Sequence, residues 1–435
     1  MIPRPAPLLL GAALLLTSAC SEPGAGTPAA GATSAPAPAP SPQPSGETSE
    51  DATGEDHGAV AGAREVAEPQ LQLLSVDASG SVGLLDLLTE ETRRLEAVEA
   101  PRSISSEGRF AFVTVPGGLT VLDSGTWTWS HGDHSHYYDA QPRLVGTLPG
   151  EGPVTLEYTA LSTAGATGVF FRRTGEAVLL DHGALAAGRI EERFRVRTTP
   201  HDGLLAPLGD GAVVSIPDPD GDVAAVRRLD ADGDPVPGSR TRCRDAAGTI
   251  ITVVGLVVGC ADGALLWTGG DGDEDGPDVE RIPYPERADA PPAREFTGRK
   301  GRPTVSALAG PRAFWLLDTR EGTWALRRVE EPMRQVVASD DEDGHVVALG
   351  RDGRVRVYSA EDGERVGQSP PLLGGGVDDG GRGDGEVQLT VDRERAYLNA
   401  PGRGLVLEID YADGARVARE LRTPTSPAFV VETGR

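Results

Sequence analysis

From Glu68 onward, short apolar runs alternate with polar breaks rich in Gly, Asp and Pro, and no apolar stripe at helical spacing persists for as long as a typical helix. That pattern predicts an all-β body. A looser unit recurs within it: a strand, a polar turn, a second strand, another turn and a third strand. It is seen in 71–76 with 82–87, 110–115 with 119–123, 168–171 with 177–181, and 203–208 with 212–216. It returns in 256–260 with 264–267, 313–318 with 324–326, 345–349 with 355–358, and 396–398 with 405–410. The units start about 46 residues apart on average, the spacing of propeller blades built from four short strands and variable loops. The predicted fold class is therefore all-β, a seven- or eight-bladed β-propeller, with the last apolar run, Ala428-Phe429-Val430-Val431, available to complete the first blade. A pair of β-sandwiches would need a linker near the middle of the chain. The glycine-rich stretches at 269–276 and 374–385 read instead as surface loops.

Before Glu68 the pattern is different. Arg4, the apolar run Leu8 to Leu16, and Leu16-Thr17-Ser18-Ala19 leading to Cys20 have the form of a bacterial lipoprotein signal, with residues 1–19 removed and Cys20 lipidated. The run is too short to span a bilayer. Residues 20–66 are rich in Pro, Ala, Ser and Gly and hold too few large apolar side chains to offset chain entropy, so they are expected to form a disordered tether, with 67–435 as the propeller. His57 lies on that tether and reads as a solvated histidine. These features predict an extracytoplasmic protein, lipid-anchored to the outer face of the cell membrane. With Cys20 assigned to lipid, Cys243 and Cys260 remain; in an exported chain such a pair forms a disulfide, or else persists as two inert buried thiols.

Charge narrows the range of partners. A net charge of −25 argues against nucleic acid and is compatible with attraction of cations. Asp218-Pro219-Asp220-Gly221-Asp222 and Asp230-Ala231-Asp232-Gly233-Asp234 have the alternating oxygen donors of a calcium loop, but Leu229 and Thr241 stand where the closing glutamate of an EF-hand would be. They are expected to be hairpin turns. Arg382-Gly383-Asp384 reads as a chance tripeptide in a Gly- and Asp-rich loop. No nucleophile elbow, zincin helix or phosphate-binding loop is present in the sequence, so nothing points to an enzyme.

The chemistry concentrates in Trp129-Ser130-His131-Gly132-Asp133-His134-Ser135-His136-Tyr137-Tyr138. Of the seven histidines in the chain, three fall within six residues here, where chance would put about a tenth of one. Thr126 to Trp129 has strand composition, 130–133 reads as a turn, and Ser135 to Tyr138 resumes strand. In an extended segment His134 and His136 point to one face, and His131 or Asp133 can fold in from the turn. Imidazole and carboxylate donors in such a group suit zinc better than copper(I) or calcium. His182, in Asp181-His182-Gly183, and His201, in Pro200-His201-Asp202-Gly203, each lie at a strand end, where propeller blades converge.

Together with Gly259-Cys260-Ala261-Asp262-Gly263, these motifs resemble those of the zinc metallochaperone AztD family, from about residue 70 to the C-terminus. The resemblance implies an extracytoplasmic β-propeller that binds zinc and delivers it to the substrate-binding protein of a zinc ABC transporter. His131, Asp133, His134, His136, His182 and His201 are the expected metal ligands, at a rim open to exchange. The chain departs from the family pattern in having Asp202 where a second histidine often follows, and no histidine in Arg244-Asp245-Ala246-Ala247-Gly248 after Cys243, which leaves Asp202 or Asp245 as substitute ligands. Because a ligating imidazole must be neutral, zinc affinity is expected to fall toward pH 6. The competing readings are a non-metal scaffold that docks another cell-envelope protein, and a metal-dependent propeller hydrolase of the lactonase kind.

Overall fold

The computed structural model describes residues 58–130, 134–269, 277–373 and 385–435. Cys20, His57, His131, Asp133 and the Arg382-Gly383-Asp384 tripeptide lie outside them. Among the described residues the fold is an all-β propeller of eight antiparallel sheets, seven with four strands and one with three, to which a small ninth sheet is added.

The middle strands of each blade explain the recurring apolar runs. Phe110–Val115 and Gly118–Asp123 are buried at every position, because each blade is covered on both faces by its neighbours. Outer strands meet solvent and are mixed in character, as in Arg416–Leu421. The core is accordingly divided into layers between blades. Eight apolar clusters each join one blade to the next, for example Phe110, Phe112, Val169 and Phe171 between the second and third. The eighth blade returns to the first through Tyr397 and Val406 against Leu73 and Leu85. The C-terminal strand Phe429–Thr433 pairs with Gln72–Val76 and so supplies a strand of the first blade, which ties the two ends of the ring together.

In seven units the two runs read from the sequence are the second and third strands of a blade. In the fourth they are the first and second, Leu205–Leu208 and Gly211–Pro217, because the first strand of that blade is also fully apolar. The two Asp-rich segments are turns. Asp218 Oδ1 accepts the amides of Asp220 and Asp222, and Asp230 Oδ1 those of Asp232 and Asp234, so the first carboxylate of each is turned onto its own backbone. Cys243 and Cys260 are buried and joined, with sulfurs 2.00 Å apart, linking the end of the fourth blade to the second strand of the fifth.

The boundary expected after residue 66 falls earlier in the structure. Arg64–Val66 is a strand that pairs antiparallel with Ser135–Asp139, and Val60 packs against the core between the second and third blades. Composition alone placed this segment in the tether, because a three-residue strand that depends on a distant partner has no pattern of its own.

Candidate metal centre

The histidine stretch forms an inserted hairpin. Thr126–Ser130 and Ser135–Asp139 pair in register, and they leave the second blade after its third strand, Gly118–Asp123, and return to its fourth, Arg143–Pro149. Trp127 lies opposite Tyr138 and Trp129 opposite His136, while Glu65 on the added strand also lies opposite Tyr138. Directly opposed residues share a face of a sheet, so Glu65, Trp127, Trp129, His136 and Tyr138 all project to one side.

The rings on that face form a column. Arg109 lies with its guanidinium carbon 3.8 Å from the centroid of the Trp127 ring, Trp127 stacks on Tyr138 at 5.1 Å, and Tyr138 stacks on His136 at 6.5 Å. His136 then meets His134 edge to face at 4.9 Å. The inner end is fixed by a fully buried ion pair, in which Arg109 Nε and Nη2 donate to the two carboxylate oxygens of Asp123, each at 2.9 Å. The outer end reaches solvent at His134. This arrangement holds the two imidazoles side by side at the edge of the molecule while the aromatic column anchors them to a blade.

Glu65 completes the group, with Oε1 2.7 Å from His136 Nδ1. The sequence offered no sign of it, since nothing marks Glu65 apart from the other acidic residues of the N-terminal region. Its place is set by the segment that carries it. Trp127 Nε1–H donates to the Gly58 carbonyl at 3.0 Å, and Arg64 pairs with Asp139 at 2.8 Å. Gly58 adopts φ +77° against Trp129, where a Cβ would come within 2.5 Å of the indole. Between this segment and the third blade lies an open cavity of about 470 Å³, lined in part by Val60, Trp129, Arg143 and Ala186.

His182 and His201, expected as ligands, are hydrogen-bonded within the blades. His182 is fully buried; its Nδ1–H donates to the Leu161 carbonyl at 2.8 Å and its Nε2 accepts from Thr167 Oγ1 at 2.7 Å. His201 Nδ1–H donates to the Thr199 carbonyl at 2.6 Å, and its Nε2 pairs with Ser215 Oγ at 2.7 Å. Burial pushes both imidazoles below the usual histidine range, so they stay neutral within the packing. Both side chains turn inward from strand ends. Asp202 forms an ion pair with Arg172 at 3.5 Å, and Asp245 sits in a tight turn with φ 51°. Among the described residues, no group of three or more His, Cys, Asp or Glu side chains comes together as a metal cluster. His131 and Asp133 of the expected set lie outside those residues.

No protein-family model matches the chain. It is similar to the zinc chaperone AztD of Citrobacter koseri, with 24% identity over 364 residues that cover 81% of this chain and 84% of the relative. A crystal structure of Citrobacter koseri AztD superposes with a TM-score of 0.73 at 21% identity, covering 85% of this chain and 99% of the other. The apo form of that protein gives 0.71 at 20% identity, covering 84% and 98%. At this identity the likeness of structure is one of fold.

Proposed function

We propose that this protein is an extracytoplasmic zinc metallochaperone that delivers zinc to the substrate-binding protein of a zinc ABC transporter. The observation that carries the proposal is the hairpin face on which His134 and His136 lie ring to ring, with a carboxylate on His136. Two imidazole nitrogens with oxygen donors at hand suit zinc, which takes N and O ligands in a tetrahedron. His131 and Asp133, from the same stretch of sequence, would supply the remaining ligands. The similarity to a zinc chaperone over most of both chains supports the same reading.

Zinc is cargo in this scheme, and the edge position suits cargo. A structural zinc site is closed by four protein ligands, whereas a site that hands over its ion must let an incoming ligand reach it. His134 is exposed at the tip of the column, so an acceptor can approach from that side while Tyr138 and Trp127 keep the hairpin in place. A lipid at Cys20 would hold the propeller at the outer face of the membrane, beside a transporter. No catalytic residue is assigned.

Equilibrium dialysis with metal analysis tests the reading. The wild-type protein should retain zinc at micromolar free metal, and the double variant His134→Ala with His136→Ala should lose it. Equal retention by the two would refute the proposal.

A further inference from the structure

The cross-strand geometry assigns Glu65 a role in the metal centre, and we infer that it is a positioning residue that fixes the tautomer of His136 for zinc. The inference rests on the zinc reading above and adds a residue to it. Glu65 lies opposite Tyr138, so His136 is its diagonal neighbour on the same face, within reach of a long side chain. The contact at 2.7 Å is to Nδ1. An ionised carboxylate can only accept, so Nδ1 carries the proton, and in the neutral ring Nε2 then carries the lone pair that a metal requires. Metal-ligating histidines commonly have such a partner: a carboxylate on one ring nitrogen orients the imidazole and raises the basicity of the other.

An incidental surface ion pair would bring the same atoms together, and such pairs contribute about 0 to 1 kcal/mol. Two features argue for more. His136 is largely buried, at 18% exposure, between Tyr138 and its neighbours, so its ring is held in one orientation and the contact is made to one defined nitrogen. Glu65 is delivered by a strand that pairs along its whole length with Ser135–Asp139, and the segment before that strand is held by the Gly58 carbonyl on Trp127. The Arg64 pair projects from the opposite face of the sheet and so provides an internal control.

The test uses the full mature chain. Zinc affinity is measured by competition with a chromogenic chelator for wild type, Glu65→Ala, Glu65→Gln, Arg64→Ala and the His134→Ala/His136→Ala double variant, and the tautomer of His136 is read from its imidazole ¹⁵N shifts without metal. Glu65→Ala should weaken zinc binding about 10- to 100-fold and shift His136 away from the Nδ1–H form. Glu65→Gln, which keeps an accepting oxygen, should recover part of both, and Arg64→Ala should stay within about threefold of wild type, the size of an exposed pair. The inference is overturned if Glu65→Ala binds zinc as wild type does, if the His136 tautomer is unchanged, or if Arg64→Ala weakens binding as much as Glu65→Ala. In each of those cases the double histidine variant still loses zinc. If the double variant keeps zinc, the proposed function itself fails.

Discussion

Glu65 and His136 are 71 residues apart in the chain and in hydrogen-bond contact in the fold. The link is made by a strand of three residues, Arg64–Val66, laid along a hairpin that the second blade carries as an insertion. The histidines therefore sit between two parts of the chain: a rigid blade, reached through Tyr138, Trp127 and Arg109, and an N-terminal segment held by few contacts. This arrangement predicts different costs for disturbing the two sides.

On the N-terminal side, Gly58→Ala should loosen the segment without unfolding the ring. Its φ of +77° disfavours any L side chain, and the new Cβ would overlap the Trp129 indole. A local cost of about 1 to 3 kcal/mol is expected. Hydrogen exchange should show protection of the 64–66 amides falling tenfold or more with the melting temperature nearly unchanged. Unaltered protection would mean that Gly58 does not hold the strand.

On the blade side, Asp123→Ala should be costly throughout the molecule. It strips both hydrogen bonds from a fully buried Arg109 guanidinium and leaves that charge uncompensated beneath Trp127. Removing one partner of a buried pair costs about 3 to 5 kcal/mol. Arg64→Ala, which breaks an exposed pair, should cost less than about 1 kcal/mol. Urea unfolding midpoints distinguish the two, and similar midpoints would contradict the burial argument.

Burial pushes the Glu157 carboxyl up to about 8, against an ordinary 4.5, and the Thr249 hydroxyl bonded to it offsets only part of the effect. Between those two values the folded protein holds a proton that the unfolded chain has released, so this group's contribution falls as pH rises from about 4.5 to 8. Glu157→Gln stays neutral throughout that window. Relative to wild type it should gain stability on the order of 4 kcal/mol between pH 5 and pH 9, measured as the pH dependence of the difference in unfolding free energy. A difference independent of pH would show that Glu157 is ionised in the fold.

The Cys243–Cys260 bond spans 17 residues between two neighbouring blades. By the loop-closure argument, a cross-link of that length contributes about 3 kcal/mol. Replacing both cysteines with alanine, or unfolding in the presence of reductant, should lower the unfolding free energy by about that amount. If wild type is indifferent to reductant, the two cysteines are thiols.

Much of the fold is visible in the sequence because middle strands buried on both faces are apolar at most positions rather than at alternate ones. Phe110–Val115 and Ala396–Ala400 stand out for that reason. The histidine hairpin is visible too, since two short strands around a turn are a local matter. His182 and His201 show where local reading stops: strand ends can be located, but whether an imidazole faces a rim or a core depends on neighbours such as Thr167 and Ser215, which approach from other strands. Arg64–Val66 is shorter than any period, and it is a strand only because Ser135–Asp139 offers it an edge.

The sequence by itself determined that the body is β, that it repeats as blades, and that three histidines share one short stretch. Those properties follow from alternation and spacing along the chain, which act over a few residues. Tertiary structure alone decided that an aromatic column on a buried Arg109–Asp123 pair supports His136, and that the carboxylate beside it comes from Glu65. Each of these pairs residues far apart in sequence, and the register that brings them together exists only once the blades have packed.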